Sequence, residues 1–219
     1  MKMRIKYAEQ LENLNQELIN MGSMIEKSIE HAVDALLNQD VELAKETMEN
    51  DAKINHQQKK IEGICFQLLL QQQPLASDLR FIASTQKIVT DMERIGDQAA
   101  DICEITRTMA KHTYMIDLKF LKKMAAETIT MLIKSIESYT LQNKETAQEV
   151  IDHDDIVDEL FDQEKKKLIE QIQKNPQCSE QAADMLMVAK YFERIGDHAV
   201  NIAEWILFAL DDHKQDNNN

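Results

Sequence analysis

Glu93-Arg94-Ile95-Gly96-Asp97 returns unchanged as Glu193-Arg194-Ile195-Gly196-Asp197, 100 residues further along a chain of 219. Repetition at that distance makes the chain two copies of one unit. Each copy places two carboxylates four residues apart. On an α-helix, residues i and i+4 share a face about 5–6 Å apart. Two acids so placed repel each other, so the motif is either a cation site or a helix face open to water. Two of the four glycines, Gly96 and Gly196, fall inside it. Glycine in a helix interior costs about 1 kcal/mol relative to alanine. Its use at both places points to something that approaches the backbone closely.

Composition supports helices throughout. Only 4 Gly, 2 Pro and 5% aromatic residues leave little turn chemistry for a sheet. The abundant Leu, Ile, Met, Ala, Glu, Lys and Gln favour long helices. A net charge of −14 opposes nucleic acid and suits cations or a basic protein partner. Cys65, Cys103 and Cys178 are odd in number and lack Cys-x-x-Cys spacing, which reads as buried free thiols in a reducing compartment. Residues 1–20 are charged throughout, without the apolar core of a leader, and the longest apolar run, Trp205 to Leu210, is too short to cross a bilayer. The expectation is a cytoplasmic protein without membrane insertion, its twelve methionines filling the core.

From Leu11, apolar residues recur at Leu14, Leu18, Met21, Ile25, Ile29, Val33 and Leu36, the period of an amphipathic helix. Asp40 can cap a second helix running to about Gln72. Pro74 stops it, and Ser77 can cap a third from Asp78 to about Lys111. The pattern then restarts, with helices from about Asp117 to Gln142 and Glu145 to Lys174. After a break at Pro176, Ser179 can cap a sixth helix ending near Leu210. Asn50 to Asn55 aligns with His153 to Asp158 at an offset of 103, and the ends of the first and fourth helices, Leu37 and Leu141, align at 104. The predicted class is all-α, two tandem three-helix bundles of long antiparallel helices related by an internal pseudo-twofold repeat. Residues 1–112 form the first repeat, 113–211 the second, and 212–219 a disordered tail.

Each repeat offers acidic pairs on two neighbouring helices. In the first they are Asp51/Asn55 and Glu93/Asp97, with Asp101 continuing the stripe. In the second they are Asp154/Asp158 and Glu193/Asp197, followed by Asn201. Asp51 and Asp97 lie equally far from Pro74, so an antiparallel pair of helices sets them at one height. Converging oxygen donors select hard cations: iron, manganese, magnesium, calcium, or zinc with retained waters. The alternative is a solvated acidic face. Asn55 carries no charge, which makes the first site the weaker one. His56, His153 and His198 adjoin these positions and read more simply as structural residues. Arg94 and Arg194 are expected to pair with acids on a neighbouring helix. No phosphate-binding loop, dinucleotide fingerprint or catalytic triad occurs, so no enzyme is expected.

On the two Glu-Arg-Ile-Gly-Asp segments, the Asp51 and Asp154 segments, and the turn Pro74-Leu75-Ala76-Ser77-Asp78-Leu79-Arg80, the chain resembles the PhoU phosphate-transport regulators over nearly its whole length. The second repeat lacks the Asp-Leu-Arg element. The resemblance implies a non-enzymatic homodimer that restrains the phosphate ABC transporter, acting on its ATPase and on the phosphate-sensing histidine kinase. It also implies that the acidic motifs hold a multinuclear metal cluster, typically iron. The rival is an iron-storage or di-iron oxidase bundle, which places Glu three residues before a ligating His. The residues at that position here are Ser28, Lys53, Met109, Val150, Ile195 and Leu210, and none is Glu.

Overall fold

A computed structural model describes residues 2–71 and 76–211. The chain is all-α, with α1 Lys2–Asn38, α2 Val41–Gln71, α3 Ala76–Met109, α4 Lys119–Leu141, α5 Lys144–Lys174 and α6 Ser179–Leu210. A short 3-10 turn, Pro176–Cys178, leads into α6. Helices α1 to α3 pack on one another, as do α4 to α6. The repeats join mainly along α3 and α6, with α1 against α4 beside them. Pro74 and the tail 212–219 lie outside the described residues.

Local chemistry explains the repeat. Gln39 (φ 55°) and Gln142 (φ 49°) take the left-handed conformation that ends a helix. The next residue then starts another. Asp40 Oδ1 accepts from the Leu43 amide at 3.0 Å, and Asn143 Oδ1 accepts from those of Glu145 and Thr146 at 2.9 and 3.3 Å. Each satisfies amides that a helix start leaves bare. The helix ends are therefore Asn38 and Leu141, and the offset is 103 rather than 104. Burial follows the same offset: Leu18 and Leu121, Met21 and Met124, Ile29 and Leu132, and Leu36 and Tyr139 are all core residues.

Several boundaries differ from the sequence reading. Helix α1 already runs from Lys2, and α4 begins at Lys119, whose amide donates to Asp117 Oδ1 at 3.1 Å. Ser179 is the first residue of α6 and not its cap. The cap position belongs to Cys178, which makes no side-chain bond there. Asn175 instead caps the 3-10 turn through the Gln177 amide at 3.3 Å, with Pro176 in its first turn. Ser77 lies within α3. The three cysteines are buried free thiols. Among the described residues no helix is long and apolar enough to cross a membrane.

Candidate functional site

The expected levelling of α2 against α3 and of α5 against α6 holds. A methyl group built on Gly96 would stand 3.1 and 3.2 Å from Ile54 and 3.6 Å from Asp51 Oδ1. One built on Gly196 would stand 2.9 Å from Asp154 Oδ1, 3.6 Å from Val157 and 3.7 Å from the Met131 sulfur. The glycines thus let α2 and α5 lay a carboxylate against the backbone of α3 and α6. A side chain at either place would push that carboxylate or its neighbour away.

In both repeats this carboxylate has an oxygen without a partner. Asp51 Oδ1 and Asp154 Oδ1 are buried and make no hydrogen bond, and neither does Asn55 Oδ1. Asp51 Oδ2 accepts from Asn55 Nδ2 at 2.9 Å. Buried polar atoms are nearly always paired, so equivalent orphans in two repeats call for a donor or a cation.

Electrostatics tie the predicted ligands together. Burial, then Asp158, then Asp197 and Glu193, push the Asp154 carboxyl up to about 6. Burial and Asp97 raise Asp51, with Asp101 adding to the shift and the Asn55 hydrogen bond opposing it. Burial and Asp97 also raise Glu93, against the pull of Arg94. Asp101 is raised by burial, Asp97 and Glu104, and Asp158 by burial and Glu193, with Lys190 opposing. The first set therefore gathers Asp51, Glu93, Asp97 and Asp101, with Asn55 hydrogen-bonded to Asp51. The second gathers Asp154, Asp158, Glu193 and Asp197.

Asn201 is placed elsewhere. Its amide donates to Asp91 Oδ1 of α3 at 3.2 Å, beside His198 Nδ1 at 2.8 Å, so both serve the seam between the repeats. His153 is hydrogen-bonded to Glu127 at 2.9 Å. Arg94 pairs within its own helix, with Asp97 at 3.0 Å and Glu93 at 3.6 Å, and not across to a neighbour as expected. Lys190, unremarked in the sequence, is bonded to Glu193. The acids stand near one another without closing on a common point. Among the described residues no three His, Cys, Asp or Glu side chains form a ready ligand set. The donors nevertheless fit a hard cation: the oxygens are level, two carboxylate oxygens are bare, and the competing partners sit on exposed or half-exposed Arg94 and Lys190.

Glu62 was also missed. It raises Glu93 from α2, three turns along from Asp51 on the same stripe, a spacing visible in the sequence. Asp91 has no such signal, because Tyr191 takes its place in the other repeat.

Known proteins align with both repeats. The PhoU domain model matches residues 18–106 and 121–206. The phosphate-specific transport system accessory protein PhoU homolog of Clostridium acetobutylicum is 35% identical over 205 residues, covering 93% of this chain and 94% of that protein. The Escherichia coli accessory protein PhoU is 28% identical, covering 93% of this chain and 84% of its own. The crystal structure of PhoU from Pseudomonas aeruginosa superposes with a TM-score of 0.88 at 28% identity, over 93% of this chain and 98% of that one. By a family model spanning both halves, and by relatives aligned over nearly its full length, the chain belongs to the PhoU family.

Proposed function

We propose that this protein is a metal-binding regulator of phosphate uptake that acts by docking, without chemistry of its own. Its relatives are named accessory proteins of the phosphate-specific transport system. The observation that carries the metal half is the pair of orphaned carboxylate oxygens, Asp51 Oδ1 and Asp154 Oδ1, set against glycines in both repeats. A multinuclear cluster, with iron foremost, would be held by Asp51, Asn55, Glu93, Asp97 and Asp101 in one repeat and by Asp154, Asp158, Glu193 and Asp197 in the other. When bound it supplies positive charge that offsets the repulsion raising Asp154 and Asp51. Arg94 and Lys190 cover the acids until then.

The partners in this reading are the ATPase of the phosphate transporter and the sensor kinase, approached by a homodimer in the cytoplasm. Long rigid helices suit an adaptor that biases its partners' states by differential binding. A net charge of −14 favours basic partner surfaces, so binding weakens as salt rises.

Two measurements decide the two halves separately. Protein purified without chelator carries transition metal, more of it in the second repeat, where Asp158 replaces Asn55, and Glu193→Ala with Asp197→Ala empties that site. No metal after reconstitution with iron, manganese or zinc removes the metal half. Deletion leaves phosphate uptake unrestrained and starvation genes expressed in plentiful phosphate. Normal control in the deletion strain, with no capture of ATPase or kinase at low salt, removes the regulatory half.

A further inference from the structure

A cavity of about 180 Å³ opens between α1 and α2 of the first repeat, alongside the Asp51 segment. Lys27, Ser28 and His31 line it from α1, and Glu46, Asn50 and Lys53 from α2. A cavity needs only about 10–15 Å³ of such space per water, so an ion with four oxygens fits with room for solvent. Lys27 and His31 have no ion-pair or hydrogen-bond partner among the described residues. Lys53 Nζ donates to Asn50 Oδ1 at 2.6 Å, which leaves the Asn50 amide hydrogens available.

The second repeat furnishes the same place differently. At the offset of 103, Met131 stands for Ser28, Val150 for Thr47 and Ile156 for Lys53, and both Met131 and Val150 are fully buried. The remaining polar groups are paired: Lys134, for His31, with Glu149, for Glu46, at 2.9 Å, and His153, for Asn50, with Glu127, for Met24, at 2.9 Å. In the first repeat Lys27 and His31 are unmatched among the described residues, and Lys53 is held only by Asn50.

We propose that this cavity binds inorganic phosphate. Lys27 and Lys53 supply charge-assisted bonds, and Ser28, Asn50 and His31 supply further donors. Glu46 selects among oxyanions. Its carboxylate repels an anion that carries no proton, such as sulfate, and accepts a hydrogen bond from one that does. Phosphate retains at least one proton at neutral pH. The inference stands on the cavity alone and needs neither the metal nor the transporter reading.

The full-length protein is titrated with phosphate and with sulfate, followed by amide shifts around Lys53 and by calorimetry, both as purified and after chelator treatment. Phosphate binds in both preparations and sulfate more weakly. Lys27→Ala with Lys53→Ala, both on exposed stems, weakens phosphate by about tenfold or more. Glu46→Gln narrows the gap between the two anions. Ser28→Met, which copies the second repeat, blocks binding, while melting curves report that each variant is folded. Loss of binding on chelation alone would place the phosphate on metal and overturn the proposal. So would unchanged affinity in the folded double-lysine variant, or equal affinity for the two anions in the unaltered protein.

Discussion

The two repeats share their turns and differ in their interiors. Gln39 and Gln142 end helices with the same positive φ, Asp40 and Asn143 start the next ones, and Gly96 and Gly196 face Asp51 and Asp154. Between these points the packing diverges. Ile61, fully buried in α2, is matched in α5 by Glu164, also fully buried, whose two carboxylate oxygens make no hydrogen bond. The nearest cation, Lys167 Nζ, is 3.7 Å away and already donates to the Asp117 carbonyl at 2.9 Å. Backbone geometry and the acidic motif thus define the common unit, and each core is filled independently. The first repeat keeps an apolar stripe on α2 and an open polar cavity beside α1. The second fills that place with buried Met131 and Val150 and paired polar groups, and accepts a buried acid instead.

Exchanging Ile61 and Glu164 tests this most severely. Ile61→Glu puts a carboxylate into an apolar layer with no lysine designed for it, and about 3–5 kcal/mol of stability is lost. Glu164→Ile removes an ill-compensated charge, and about 1–3 kcal/mol is gained. Urea midpoints of the metal-free protein measure both. A loss on Glu164→Ile would show that the second core depends on that carboxylate, and the repeats would then differ in design as well as in filling.

Acid titration separates the two clusters next. The folded-state value of Asp154 lies near 6, above its ordinary 3.8. Between those values the native state holds a proton that the unfolded chain has released, so stability is greatest below the window and falls as pH rises through it. Asp51, Glu93, Asp101, Asp158 and Glu164 shift in the same direction. Metal-free protein therefore melts higher near pH 5 than near pH 8. Asp154→Asn removes the largest share, about 1–3 kcal/mol at the alkaline end. On the proposed metal reading, added metal reverses the trend, because protons then compete with it. A flat melting profile in metal-free protein rules out the crowding of charge described for both sites.

The paired glycines give a finer contrast. At Gly96 a methyl meets two branches of Ile54, a buried β-branched side chain that is stiff about χ1. At Gly196 the tightest neighbour is the Asp154 carboxylate, which can turn. Gly96→Ala therefore destabilises by about 1–2 kcal/mol, overpacking outweighing the gain in helix propensity. Gly196→Ala stays near neutral in metal-free melts and, on the proposed metal reading, lowers metal content by displacing the Asp154 carboxylate. Equal effects on melting and on metal would erase the distinction.

Much of this was legible from residues that act locally. Asp40 announced a helix start, and equal counts from Pro74 put Asp51 beside Gly96 because antiparallel helices rise at one rate. Glu164 was legible in principle, since it continues the buried stripe of Val157 and Leu160 at helical spacing. Ser179 misled because Asn175 and Pro176 had already begun a tighter turn one step earlier. Asn201 could not be placed from its own helix, because its partner, Asp91, lies across a seam whose register is set by packing between repeats. Arg94 failed for a similar reason: acids one and three residues along its own helix outcompete a distant one.

Gly63 gives the smallest effect and the cleanest control. It too lies inside a helix, and the second repeat has Lys166 at the same place. Nothing lies within 4 Å of a methyl built on it, and no glycine in the described residues has a positive φ. Neither close approach nor backbone conformation requires it. Gly63→Ala then acts only by narrowing the unfolded ensemble and improving helix propensity, a gain of about 0.4–1 kcal/mol. Thermal melts beside Gly96→Ala should move in opposite directions. If both lose stability, helix glycines in this protein serve something other than the contacts seen at Gly96, and the argument that the motif glycine exists to seat a carboxylate loses its support.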